Sequence, residues 1–427
     1  MTGMELLMSR YENDLHIRKL AFVLPITNSE RMSFACPRLW SYSYVECFED
    51  SGRSDAITYG VVWHKFLETL LSEMRLYDRV LSTAETLQIV DTYLGDTIKD
   101  CLLESGGDDL LTEYINFDKI NPLYDTIKTN IVGWMLSWKD IMADYKVLEI
   151  ELAVSAPIFD DKGKVFHHKG YVVHENDLVG GGLYTRLATT GEKSIAEPAS
   201  IPFIKVGKID VLLECRHTGD LWVCDHKTTS SPSSFDSSIP FDVQLPSYAF
   251  LLYWEINEGF LQKYKGKKVG GIFYDIYKSS VNNNPKLLKN GKLSTAKSSA
   301  VPSWVYRKAV HDNNLPISEY KDHLVYIKNN VDTRYYLHRF LHLLPSDLER
   351  CASEDYAIAE QISKKRSALV ELDQSRDADG FDVIAYRFPL CQRYGNCRFS
   401  SVCVANNQPS VIYLNKNPKI KWVRKPE

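Results

Sequence analysis

The stretch GKIDVLLECRHTGDLWVCDHKTTS, residues 207–230, constrains the fold more than any other part of the chain. Two alternating apolar runs flank HTGD, a tetrapeptide with the composition of a tight hairpin turn. Residues two apart on a strand face the same side. Asp225 and Lys227 therefore point into one space and the ring of His226 points away. Pairing through the turn brings Asp210 alongside them. Two carboxylates and an ammonium then converge at one end of a hairpin, and the apolar LWVC before Asp225 makes that end part of a buried strand.

Neighbouring carboxylates repel unless something neutralises them. Mg²⁺ or Mn²⁺ does so directly, taking hard oxygen ligands while leaving positions for water and phosphate oxygens. Such an ion acidifies a bound water and stabilises charge on a phosphoryl group. Lys227 would orient that water or offset the transition-state charge. These are the parts a phosphodiester hydrolase needs. A cross-strand ion pair on a solvated sheet face is the alternative, and D-x-K by itself does not separate the two.

The flanking pattern places this hairpin in an α/β or α+β chain. Residues 1–145 read mainly as helix, with amphipathic stretches at 59–75 and 125–145. At Val147 the period changes to that of strands, in KVLEIELAV, KVFHHKGYVV, FIKVGKIDVLLEC, DLWVCDHKTT and VGGIFYDIYK. Residues 180–202 read as a loop or irregular insertion, and SSPSSFDSSIP as a polar loop. A helix is expected from about Phe241, and helices dominate again beyond about residue 315. The organisation expected is a helical region over 1–145, a core over 146–310 with a central sheet of four or five strands, and a helical region over 311–427. The chain is 427 residues long, with no apolar run long enough for a membrane span and no signal-peptide pattern at its start, so a cytoplasmic protein is the default expectation. A net charge of −4 does not advertise a nucleic-acid binder, but a local basic groove is what matters there.

Further motifs give a specific likeness. Gly60–His64–Glu68 forms G-x-x-x-H-x-x-x-E, followed by G-K-x-D at 207–210, D-x-K-T at 225–228 and Q-L-x-x-Y at 244–248. In this order the chain resembles the RecB-like PD-(D/E)XK nucleases. The resemblance implies a restriction-endonuclease-like core, a mixed sheet flanked by helices. It makes Asp210 and Asp225 metal ligands, His64 an additional ligand and Lys227 the catalytic lysine. Gln244 and Tyr248 would position DNA or the active-site groups, and His226 would offer its backbone carbonyl to the metal. Glu151 is a candidate for the acidic residue of the first core strand, with Glu149 on the same face. Read without the motifs, His64 is a hydrogen-bonded core histidine, and Gln244 and Tyr248 are an ordinary helix face.

Some RecB-like nucleases hold a [4Fe–4S] cluster with one early cysteine and three late ones. Cys391, Cys397 and Cys403 form C-x5-C-x5-C, and Cys36 sits in the matching context C-P-R-x-W. Four thiolates suit zinc or an iron–sulfur cluster, and the absence of C-x2-4-C pairs favours the cluster. Cys47 is the second candidate for the early position. Cys101, Cys215, Cys224 and Cys351 read as small buried hydrophobes. The cluster would staple the two ends of the chain together.

Basic residues in QKYKGKK, at 286–297 and at 416–425 are interleaved with Tyr264, Tyr274, Tyr277, Trp304, Tyr306 and Trp422. That mix would track a backbone and stack unpaired bases, or else is a solvated charged surface. The function expected is a Mg²⁺- or Mn²⁺-dependent DNA exonuclease acting on ends or single strands, in recombination, repair or phage DNA metabolism. It would work with DNA, with no membrane, and with a recombination partner or as a homo-oligomer. The alternatives are an endonuclease or spacer-processing nuclease with the same site, and a non-cutting DNA-binding module of the same fold.

Overall fold

The computed structural model describes residues 24–34, 40, 48–50, 55–103, 117–172, 197–279, 284–297, 300–375 and 422–424. The HTGD turn forms as its composition requires. Gly219 takes a φ of +75°, which suits a residue without a Cβ, and its N–H donates to the Cys215 carbonyl. The turn joins β5 (Glu197–Cys215) to β6 (Leu221–Thr229) as an antiparallel pair.

Around this hairpin lies an α/β arrangement with a mixed sheet of six strands flanked by helices. Strand β3 (Tyr145–Pro157) runs antiparallel along one edge of β5. Across β6, β7 (Val269–Lys278) pairs in parallel, and β8 (Tyr336–His342) closes the far side antiparallel to β7. The sixth strand, β1 (Leu24–Ile26), lies parallel to β5. A further strand, β4 (His167–Val172), pairs with the start of β5. A separate two-stranded ladder joins β2 (Phe48–Asp50) to β9 (Trp422–Arg424).

Burial alternates across the central strands. Trp222, Cys224, Phe273 and Tyr277 pack into one apolar layer with α2 (Asp55–Tyr77) and α5 (Phe117–Asp144). Leu221, Val223, Ile272 and Ile276 pack into a second layer against α7 (Gln244–Asn257). Both faces of β6 and β7 are thus out of water, as parallel strands require. Between these come α3 (Thr83–Ile89), which opens on a Ser82–Glu85 capping box, and α4 (Gly95–Leu103). The short α6 (Pro232–Asp236) precedes α7. The later helices are α8 (Ser303–Asp312), α9 (Lys321–Asn330) and α10 (Pro345–Ser375).

Several expectations change. The sheet has six strands because two short segments outside the expected core region join it. LPI of β1 lies in the region read as helical, and YLHRFLH of β8 lies among the later helices. β5 also reaches back to Glu197, into the stretch read as loop, and SSPSSFDSSIP holds the α6 turn. The sheet therefore draws on all three expected regions.

Strand β5 has an unusual edge. Opposite β3, its residues 203–205 pair with β1 and its residues 211–214 pair with β6. Residues 206–210 lie between these two ladders, a fork in the sheet. Helix α1 (Asn28–Phe34) starts directly after β1, so its first turn also sits at the fork. Ion pairs hold α1 in place. Arg31 binds Glu354 and Asp355 of α10, each at 2.7 Å, and the buried Lys205 of β5 meets the same Asp355 at 3.1 Å. Ser247 of α7 donates to Asp355 as well.

Candidate functional site

The fork brings the hairpin's polar residues together. Asp210 stands just before the last β5–β6 pair, Val211 with Cys224, and Asp225 just after it. The His226 N–H donates to Asp210 Oδ2 at 2.9 Å, and His64 Nδ1 from α2 lies 3.4 Å from the same oxygen. Lys227 Nζ is 2.6 Å from Asp225 Oδ2 and donates to Gln244 Oε1 at 2.9 Å. Gln244 Nε2 faces Asp225 Oδ1 at 3.1 Å and the Tyr248 hydroxyl at 3.3 Å. Six sequence-predicted residues thus form two neighbouring groups, His64 with Asp210, and Asp225 with Lys227, Gln244 and Tyr248, joined through the His226 backbone.

Local sequence explains the placement. Apolar residues of α2 (Val62, Trp63, Phe66, Leu67) anchor that helix on the sheet and leave His64 half-exposed beside the hairpin. Gly207 lets α7 come close, since a Cβ there would lie 2.4 Å from the Tyr248 ring. Asp242 accepts from the N–H groups of Gln244 and Leu245 and from the Tyr274 hydroxyl, fixing the start of α7.

The electrostatics are unbalanced. Asp225 is 2% exposed, and burial raises its pKa to about 6 against the opposing pull of Lys227, with Asp210 adding to the rise. Partial burial pushes Asp210 upward as well, but the His64 contact and the neighbouring positive charges outweigh it and hold its carboxyl below the ordinary range. Burial works against a charge on His64, and the Asp210 contact outweighs it and raises its pKa.

Of the other expected site residues, His226 turns its ring away, as strand alternation requires, and Glu151 makes its contact outside these two groups. The His226 ring points to the opposite face of the sheet, so no metal contact through its imidazole is available on the Asp225 side. Its Nδ1 lies 2.7 Å from Asp275 Oδ2. Glu151 sits opposite Asp210 in the β3–β5 ladder with a φ of +55°, and its carboxylate pairs with Lys208. Near that point both strands turn over. Ile150 and Val211 pack with the α2 layer, whereas Leu152 and Ile209 pack with the α7 layer. Strict alternation, which put Glu149 and Glu151 on one face, therefore fails here. Glu149 instead binds Lys263, Tyr264 and Arg75.

The aromatic residues expected to stack bases are also corrected. Tyr264, Tyr274, Tyr277, Trp304 and Tyr306 are all buried in the two apolar layers and cannot meet a base. Of the lysines near them, Lys263, Lys267 and Lys292 are paired with Glu149, Glu214 and Glu319. Cys36, Cys47, Cys391, Cys397 and Cys403 lie outside the described residues, as does the side chain of Trp422.

Two features escaped the sequence reading. One is Asp275, whose Oδ2 also accepts from Trp134 Nε1 at 2.7 Å and Trp138 Nε1 at 2.9 Å, while His338 Nε2 lies 3.2 Å from its Oδ1. A carboxylate inside the apolar strand VGGIFYDIYK needs buried donors, and that was its signal. The other is a cleft of about 530 Å³ at the fork, walled by α1, residues 153–155 of β3, residues 206–208 of β5 and the start of α7, including Gln244 and Tyr248.

The donor set suits a hard divalent cation that keeps most of its water: two carboxylates, one with its pKa raised, with His64 beside them. Among the described residues, no group of three or more His, Cys, Asp or Glu side chains is placed to hold a metal ion. No helix among them is long and apolar enough to cross a membrane. In comparison with known proteins, no family model matches the chain. Nor does any curated protein match it.

Proposed function

We propose that this chain is a Mg²⁺- or Mn²⁺-dependent deoxyribonuclease with a PD-(D/E)XK-type site, acting on DNA ends or single strands. The placement of Asp210, Asp225 and Lys227 at one end of the β5–β6 hairpin carries this reading, because two neighbouring carboxylates, an amine paired with one of them and an adjoining cleft are the parts of a phosphodiester hydrolase. Asp210 and Asp225 would hold the cation, with His64 and the His226 carbonyl as further ligands. The cation, when bound, neutralises phosphate charge and activates a water.

The remaining roles belong to the chain itself. Lys227 holds its ammonium between Asp225 and Gln244, where it offsets charge on the phosphate and orients the attacking water. Gln244 bridges Asp225, Lys227 and Tyr248, so all three keep one arrangement as substrate enters. The same reading gives Cys36, Cys391, Cys397 and Cys403 a [4Fe–4S] cluster at the meeting of the chain's two ends. Support for it comes from the ladder of β2 with β9 and the Arg31 pairs to α10.

Incubation with linear, circular and single-stranded DNA, in Mg²⁺, Mn²⁺ or EDTA, tests the reading. Linear or single-stranded DNA should be degraded in a metal-dependent way, and Asp225→Ala should abolish cutting while DNA binding persists. No metal-dependent cutting of any substrate would overturn it. A brown protein with broad absorbance near ~400 nm is expected from the cluster.

A further inference from the structure

The cleft at the fork shares Gln244 and Tyr248 with the carboxylate–lysine set, so whatever occupies it lies next to the reacting groups. Its volume of about 530 Å³ is in the range of small-ligand sites. The walls are largely apolar, from Met32, Val154, Val206 and Val243.

One polar group in this wall lacks partners. Asn28, at the first turn of α1, is 6% exposed, and neither its Nδ2 nor its Oδ1 makes a hydrogen bond. The Tyr248 hydroxyl lies near enough to feel the Asn28 amide, without a well-aligned bond to either atom. A buried amide presents one donor and one acceptor side by side. That pair is complementary to the hydrogen-bonding edge of a nucleobase, which asparagine can engage with two bonds.

The charges argue against a phosphate as the occupant. Lys208 is the cation among the lining residues, and Glu151 takes it. The first N–H groups of α7 are taken by Asp242. A neutral, flat, polar-edged group fits what remains.

Building on the nuclease reading above, we propose that this cleft receives the nucleobase beside the bond to be cut, with Asn28 reading its edge. A base cannot enter such a cleft while it is paired and stacked in a duplex. The substrate strand must therefore be unpaired at the cut, which makes single strands and frayed ends the preferred DNA. Asn28 becomes a substrate-binding residue outside the matched motifs.

The test uses the full chain and a single-stranded oligonucleotide of fixed sequence, intact or with one abasic position moved step by step past the cut. Wild type should cut the intact strand about tenfold better in kcat/KM than the strand abasic at the cleft position. Asn28→Ala should lose a similar factor on the intact strand, chiefly through KM, and should no longer distinguish the two strands. Ser29 is exposed at the cleft mouth, so Ser29→Trp should fill the cleft with little change in melting temperature and erase the distinction in the same way. Equal cutting of intact and abasic strands by wild type overturns the proposal, as does an abasic penalty that survives both substitutions. Absence of cutting on every strand overturns the nuclease reading instead, so the two failures are distinguishable.

Discussion

Asp225 and Asp275 occupy adjacent strands of one sheet, one residue out of step in the β6–β7 register, and both are 2% exposed. Their acidities nevertheless move in opposite directions. Burial raises Asp225 to about 6, because its single ammonium partner is offset by a second carboxylate. Burial pushes Asp275 upward too, but its contacts with His226 and His338 outweigh this and hold it well below the carboxylate range. Two indole N–H groups complete its shell. The first carboxylate faces Lys227 and Gln244, the latter a wall of the cleft, and the second faces the apolar layer of α2 and α5. Depth alone therefore does not set the state of a buried acid here. The number of donors around it does, and a donor-poor acid beside an opening is what a cation site needs.

The largest expected effect breaks the donor-rich side. Asp275→Ala leaves two indole N–H groups and two imidazoles without their acceptor, and should cost about 3–5 kcal/mol in urea denaturation. An unchanged midpoint would mean the cluster contributes nothing. On the donor-poor side, a bound cation should stabilise the fold. Mg²⁺ at 100 times its dissociation constant should add about 2.7 kcal/mol, read as a rise in melting temperature absent from Asp225→Asn. Without metal, Asp225→Asn should itself stabilise the protein at pH 8 by roughly 1–3 kcal/mol. The sign follows from the raised pKa: an acid harder to ionise when folded penalises the folded state once pH exceeds its folded pKa. The gain should be full above about pH 6 and gone below about pH 4. Asp275 has the reverse sign, with stability present above its unfolded pKa and lost as pH falls below it, so Asp275→Asn should flatten the acid limb of the melting profile. The smallest effect is expected away from both acids. Lys308→Ala removes an exposed pair with Asp312 and should change stability by less than about 0.5 kcal/mol.

The sequence was informative where patterns are local. The HTGD turn, the shared face of Asp225 and Lys227, and the i,i+4 pair Gln244 and Tyr248 follow from strand and helix periods, and the structure gathers these side chains as those periods require. Most of the long α5 was likewise visible as apolar periodicity, and α10 falls in the stretch expected to be helical. What local pattern missed depends on tertiary partners. Strands of three residues such as LPI carry too little periodicity to be seen. YLHRFLH is half-exposed and becomes a strand because β7 offers it an edge. Tyr277 and Trp304 looked like surface aromatics beside lysines, but Tyr277 donates to the Asn130 carbonyl inside the helical layer and Trp304 packs beside it. Glu151 pairs with Lys208 where two paired strands turn over at one point, an event no single-strand period records. Asn28 carried no signal, since its meaning comes from walls supplied by β3, β5 and α7.

The Arg31–Asp355 contact joins residues 324 positions apart. During synthesis the first-made wall of the cleft must wait, unanchored, until β5 and then α10 leave the ribosome, because β1 has its parallel partner in the former and Arg31 its counter-ions in the latter. Contacts of such sequence separation form late and slowly. A nascent chain would thus acquire its acidic hairpin before the wall carrying Asn28 is fully anchored, and a truncated product lacking α10 would keep Asp210, Asp225 and Lys227 without the ion pairs that hold that wall.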